Sequence, residues 1–443
     1  MDQVGRPLYG CVKFDDVRHH TAGWASIAGK PSYRIAGTKD LPSNVSWLTN
    51  LDYEMSHKAG FGVHAGFRRS EYLSEYFFKV EKSVDKYSPI ESPCFDFAKM
   101  LDSGSASESL ITERFATVFD RVMMLSEKLL GIQGLPTYSL ASGFRSKITG
   151  HDAVLPNNIV AALENATASV IKAERNTESI ETDNAMTLIL PRVMHGVKCA
   201  SVLEPKGKWV SLSLPDNNEE AIDDWVCRYN GYFIVDMSIN KMNEQAHRII
   251  NFGSGRDVRR WITGIELAVL NKIGSVTLVS AYRPTILEPL TTLSPLMEAH
   301  NDVHELSLSA GIFWQNIWMG LCAKKPPPPH ILSTSKSINA IAPFIRATDR
   351  NECFLAALAL QKHGISVIKY GRGQLTIQFD GDNDRLADAL RATRLVPCFL
   401  KSRARNDISI DSPIRMMQEI YLQGDFERLN EADEQIMELL CQN

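Results

Sequence analysis

The sequence predicts an α/β body, a sheet flanked by helices, followed by a small α+β unit. Three observations predict it. Runs with helical spacing alternate with short β-branched runs as far as residue 280, the pattern of helices interleaved with strands. Four successive prolines, Pro326 to Pro329, then interrupt the chain. Beyond them a helix, a glycine-turned hairpin and a second helix follow in quick succession.

In order along the chain, Ser32–Ala36 before Gly37 reads as a short strand, and Glu71 to Tyr87 has helical spacing. Residues 88–109, with Pro89, Pro93 and several serines, read as a loop. From Ser109 to Leu130, Ile111, Phe115, Val118, Phe119, Val122 and Met123 form an apolar stripe that Gly131 stops. Ile159 to Ala173 is a further helix, capped by Asn157 or Asn158. Strand-like runs at 186–190, 209–214, 232–235 and 275–280 favour a substantially parallel sheet. Leu306 to Ala323 is apolar, but Gln315 and Asn316 break it well short of the about 20 residues a membrane span needs. It reads as a buried core helix. The prolines form a stiff spacer, residues 324–330, between a body of residues 1–323 and a unit of residues 331–443. In that unit, Asn351–Lys362 reads as a helix, 365–370 and 374–379 as a hairpin, Asp382–Arg391 as a helix, and 411–440 as acidic helix.

At 443 residues the chain can bury a large core, and 44% hydrophobic with 23% charged residues is ordinary for a globular protein. A formal charge of −4 gives no general attraction to nucleic acid or anionic membranes. The local exception is the basic run Arg391, Arg394, Lys401, Arg403 and Arg405, a solvated face or a phosphate-binding patch. Early charges such as Asp2 and Arg6 argue against a secretory signal. The eight cysteines are scattered without a C-x-x-C pair, which predicts free thiols in a reducing compartment rather than disulfides or a zinc site. The expectation is a soluble intracellular protein with no membrane span.

Three segments in order then suggest a family: Gly37-Thr38 after a strand, Trp47-Leu48-Thr49-Asn50-Leu51-Asp52, and Val63-His64-Ala65-Gly66-Phe67. Together they resemble the opening of a class 3 (fungal-type) lipase, over about residues 30–310. The resemblance implies a lipase-like α/β-hydrolase sheet, with a helix starting after Phe67 and an insertion near 88–147. It also implies a serine on a tight strand-to-helix turn between small residues. No Gly-x-Ser-x-Gly exists in the chain. In the preferred alignment, Thr149-Gly150-His151-Asp152 places Asp152 where the nucleophile belongs, and an aspartate cannot form the acyl intermediate. The other elbow is centred on Ser139, with Asp257 as acid and His300 or His304 as histidine, in the family's chain order. Each also has a bland reading, Asp257 as a surface ion-pair residue among Arg256, Arg259 and Arg260. His300 and His304 lack a third metal ligand at a sensible spacing.

Other chemistries have thinner support. Gly253-Ser254-Gly255 lacks the third glycine of a dinucleotide loop, and no P-loop lysine motif exists, so no cofactor is expected. Cys353 in Asn351-Glu352-Cys353 is similar to a papain-type cysteine but has no suitable histidine after it, and reads as a buried small hydrophobe. Asp223-Asp224 and Asp380, Asp382 and Asp384 fit caps and turns. The leading expectation is a lipase-like scaffold without its serine, acting as a binding or structural module. The alternatives are a self-assembling viral capsid-like shell protein, located in a virion, and a divergent serine esterase. Self-association or a protein partner is expected in either non-catalytic case.

Overall fold

The computed structural model describes residues 6–16, 18–51, 67–69, 106–132, 155–168, 185–190, 192–216, 220–242, 259–289, 339–371, 373–378, 381–393 and 395–397, with pairs at 313–314, 317–318 and 321–322. Their thirteen strands form three sheets. The first is built on β1 (Leu8–Asp16), which is buried on both faces because its period of two sends Tyr9 and Cys11 one way and Val12 and Phe14 the other. It pairs antiparallel with β2 (Thr21–Ile27), which pairs antiparallel with β3 (Tyr33–Gly37). On its other side lie β4 (Val45–Thr49) and then β5 (Phe67–Arg69), both parallel, giving the order β3-β2-β1-β4-β5.

Helix α1 (Ala106–Leu130) covers the Tyr9–Cys11 face with Phe115, Phe119, Val122 and Met123, the stripe expected from the sequence. Its N-terminal end is tied to the turn after β2, where Glu113 accepts the Ser32 amide at 2.7 Å and Ser109 bonds the Ser32 hydroxyl. It ends at Gly131, whose φ of +61° is left-handed, the usual way to stop a helix.

The second sheet has the order β7-β10-β8-β9, from β7 (Glu204–Leu212), β8 (Ile234–Met242), β9 (Arg259–Thr263) and β10 (Gly274–Glu288), all antiparallel. Helix α2 (Asn157–Ala168) packs against β9 and β8, and α4 (Ile222–Arg228) and α5 (Gly264–Ile273) pack on each other beside the sheet. The third sheet, β11-β12-β6-β13, joins β6 (Ala185–Ile189) to the hairpin β11 (Ser366–Gly371) and β12 (Gln374–Gln378) and to β13 (Val396–Pro397). It therefore links strands on either side of the proline run. Helices α3 (Arg192–Ala200), α6 (Ala342–Lys362) and α7 (Asn383–Thr393) complete the described elements.

The coarse α/β expectation holds, and the parallel sheet does not. Among the described residues only β1–β4 and β4–β5 run parallel. Helices lie between the later strands, yet they are not long crossovers: α5 has 10 residues and runs straight from β9 into β10. The first half of β10 alternates between half-buried and exposed positions, as a strand with one wet face does in antiparallel sheets. One main apolar cluster gathers residues of all three sheets, among them Leu48, Val235 and Leu375, around Trp225, Trp314 and Phe344. Phe313, Trp314, Ile317, Trp318 and Leu321 are buried, as expected for core residues of 306–323.

Candidate functional site

Helix α6 carries three consecutive buried polar residues, Asp349, Arg350 and Asn351. Neighbouring residues on a helix point about 100° apart, so each reaches a different element. Asp349 Oδ1 lies 3.0 Å from Nε2 of His195 on α3. The same oxygen accepts the amide of Gly373, at the start of β12, at 2.8 Å. Gly373 has φ of +69°, and a Cβ there would sit 2.8 Å from the His195 ring, so the turn needs glycine on both counts. The Gly373 carbonyl in turn accepts the Leu190 amide at 2.8 Å. The hairpin turn is thus held from two sides.

Arg350 turns toward the second sheet. Its Nε donates to Glu266 Oε1 at 2.7 Å, and its two terminal nitrogens donate to the carbonyls of Thr167 and Ala166 at 3.0 Å. Those carbonyls lie in the last described turn of α2, where a cation is favoured by the helix dipole. Glu266 is fully buried and also forms a capping box with Thr263 at the start of α5. Asn351 donates to the Ile265 carbonyl at 2.8 Å, leaving its own side-chain oxygen unpartnered. One helix therefore clamps α3, the hairpin, α2 and α5.

Two thiols border this junction. Cys199 lies one turn after His195, with sulfur 3.6 Å from Nε2, and Cys353 lies one turn after Asp349, 3.7 Å from Oδ1. A cysteine–histidine–aspartate relay needs the acid and the thiol on opposite ring nitrogens. Here both face Nε2. Burial, and after it the Asp349 carboxylate, pushes both thiols well above their ordinary range, which suppresses the nucleophilic thiolate. Cys353 is the buried small hydrophobe expected of it. Among the described residues, no group of three or more His, Cys, Asp or Glu side chains is placed to hold a metal. A separate cleft of about 180 Å³ lies between the hairpin and α7, with the Asp382–Arg385 pair at 2.9 Å in its lining.

Of the residues singled out in the sequence, Ser139, Asp152, Asp257, His300 and His304 lie outside the described residues, as do Gly253–Gly255 and His64. Arg391 lies in α7, while Lys401, Arg403 and Arg405 lie outside. Asp223 and Asp224 occupy the first turn of α4, where carboxylates favour the helix dipole. The polar triplet was missed because the helix was read as starting at Asn351. It starts at Ala342 with Pro343 in its first turn, which puts Asp349, Arg350 and Asn351 mid-helix. In the sequence the triplet sits in a longer polar run, Thr348 to Glu352, which does not distinguish it from a solvated helix face.

The lipase expectation is corrected on several counts. Gly37 ends an edge strand of an antiparallel meander, not a core strand of a parallel sheet. Phe67 begins β5 beside β4, and the helix expected from about Glu71 lies outside the described residues. No protein-family model and no curated protein matches the chain. Solved structures it is similar to include those of phi29 DNA polymerase. In complex with primer-template DNA and incoming nucleotide substrates, that polymerase shows 10% identity over 84% of this chain and 80% of its own, with a TM-score of 0.41. Complexed with single-stranded DNA it shows 10% identity, coverage of 84% and 79%, and a TM-score of 0.42. Its orthorhombic crystal form shows 12% identity, coverage of 65% and 59%, and a TM-score of 0.36. Similarity of this degree assigns neither family nor activity. No comparison supports a lipase or a shell protein, and the lipase-like scaffold, the capsid-like shell and the divergent esterase are all withdrawn. No helix among the described residues is long and apolar enough to cross a membrane.

Proposed function

We propose that this chain binds nucleic acid through its backbone phosphates, with the turn between β11 and β12 as a contact point. The observation that carries this reading is the pinned turn. A buried carboxylate spends hydrogen-bonding capacity on one backbone amide, and Leu190 holds the same residue from the other side. Rigid presentation of a turn lowers the ordering cost of binding. In sequence, the turn is Gly371-Arg372-Gly373, an arginine between two glycines, which gives a guanidinium suited to phosphate. The basic run Arg391, Arg394, Lys401, Arg403 and Arg405 follows within the same C-terminal stretch. Because the whole chain carries −4, attraction to a polyanion must be local, not spread over the surface.

Fluorescence anisotropy with labelled single-stranded DNA, single-stranded RNA and duplex DNA tests the reading. Binding is expected to weaken between about 50 and about 200 mM salt, as phosphate contacts require. Arg372→Glu should weaken it about tenfold or more, since a charge-assisted contact worth about 1.5–3 kcal/mol is lost. Absence of salt-dependent binding to all three probes, or an Arg372→Glu variant that binds like the parent, overturns the proposal.

A further inference from the structure

We propose that Asp349, Arg350 and Asn351 make α6 a mechanical coupler, so that the β11–β12 turn and the wall formed by α2 and α5 open together and not separately. The inference does not depend on what the turn binds.

The argument starts from directions. Asp349 faces His195 and the Gly373 amide, while Arg350 and Asn351 face Glu266, the end of α2 and Ile265. α6 packs against both the hairpin and the α2–α5 wall and so connects them. Each bond buries a charged or amide group that becomes costly once its partner leaves. If the turn lifts away, the buried Asp349 oxygen loses the Gly373 amide. If the wall lifts away, Arg350 loses Glu266 and the two α2 carbonyls. Either loss is relieved by moving α6 toward solvent, and the helix carries all three residues with it. A helix held only by apolar contacts would let each neighbour fray alone, because such contacts lack direction. The Lys198–Glu352 ion pair at 2.7 Å adds a link from α6 to α3, which His195 also occupies.

Hydrogen exchange followed by mass spectrometry on the full chain tests this. Arg350→Met removes a group whose hydrogen bonds run to Glu266 and to the end of α2. It should speed exchange at 163–168 and 263–270, and also at Leu190 and 373–378, by about tenfold, equivalent to about 1.4 kcal/mol. Asp349→Asn should do the reverse, speeding exchange at 163–168 although its bonds to His195 and Gly373 lead away from α2. Should Arg350→Met fail to fold, Asn351→Ala gives the same readout, since its side-chain amide donates to Ile265 in the wall. Phe119→Leu on α1 controls for global loss of stability. Acceleration confined to the segments each side chain touches overturns the coupling. So does a Phe119→Leu variant that speeds the hairpin as much at equal loss of stability.

Discussion

His20 sits in the β1–β2 turn with φ of +56°, a left-handed conformation that costs a non-glycine residue about 1–2 kcal/mol. Its amide donates to the Asp16 carbonyl at 2.8 Å, and its ring lies edge-on to Phe14. The ring Nε2 is buried without a partner. Burial lowers the imidazole's affinity for a proton, nearby Asp16 opposes that, and His19 adds to it. A histidine whose folded pKa lies below its unfolded value stabilises the fold above about pH 6.5 and loses that contribution as pH falls. The urea midpoint should therefore drop between about pH 7.5 and about pH 5.5, and His20→Asn, which tolerates the same backbone, should flatten the drop. Asp16, held below the usual carboxylate range by its hydrogen bond to His19, responds only at lower pH, because unfolded aspartate titrates near 3.9. A variant with the parent's full pH dependence would place the effect elsewhere.

At the scale of elements, the hairpin makes a sharper test, because two glycines with similar φ separate strain from contact. Gly373, at +69°, has the His195 ring 2.8 Å from where a Cβ would stand, while Gly131, at +61°, has nothing within 4 Å. Gly131→Ala should cost about 1–2 kcal/mol from backbone strain alone. Gly373→Ala should cost that and more, because His195 must move off Asp349. Equal losses in chemical denaturation would mean that the His195 contact relaxes freely. The hairpin and the α1 stripe were legible in the sequence because both are local patterns: alternation around a glycine turn, and spacing of three and four on one face. Sheet membership was not, because it depends on partners far away in sequence. The run 186–190 looks the same whether it pairs with 209–214, as a single body sheet would have it, or with Gln374–Gln378, as it does. The D-R-N triplet was hidden for a related reason: the hydrogen bonds that tie it to other elements reach partners 24 to 184 residues away.

For the whole molecule, the question is whether the proline run divides the chain into independently stable parts. Two units that fold alone would each need a core of their own. The main apolar cluster instead includes Leu188 on β6 together with Phe354, Leu375 and Ile377 from beyond the prolines. The Arg350–Glu266 pair, at 10% and 0% side-chain exposure, crosses the same boundary. Losing the C-terminal partner would strip β6 of both neighbours, β12 and β13, and leave Glu266 buried and unpaired. Unfolding is therefore expected as one transition, with tryptophan fluorescence and far-ultraviolet circular dichroism coincident in urea and a calorimetric enthalpy equal to the van't Hoff value. Fluorescence should report the core directly, because Trp47, Trp225 and Trp314 are fully buried and belong to different elements. Two separated transitions would show that residues 331–443 hold together without the body, and that the contacts through Leu375 and Arg350 are docking between units rather than part of one core.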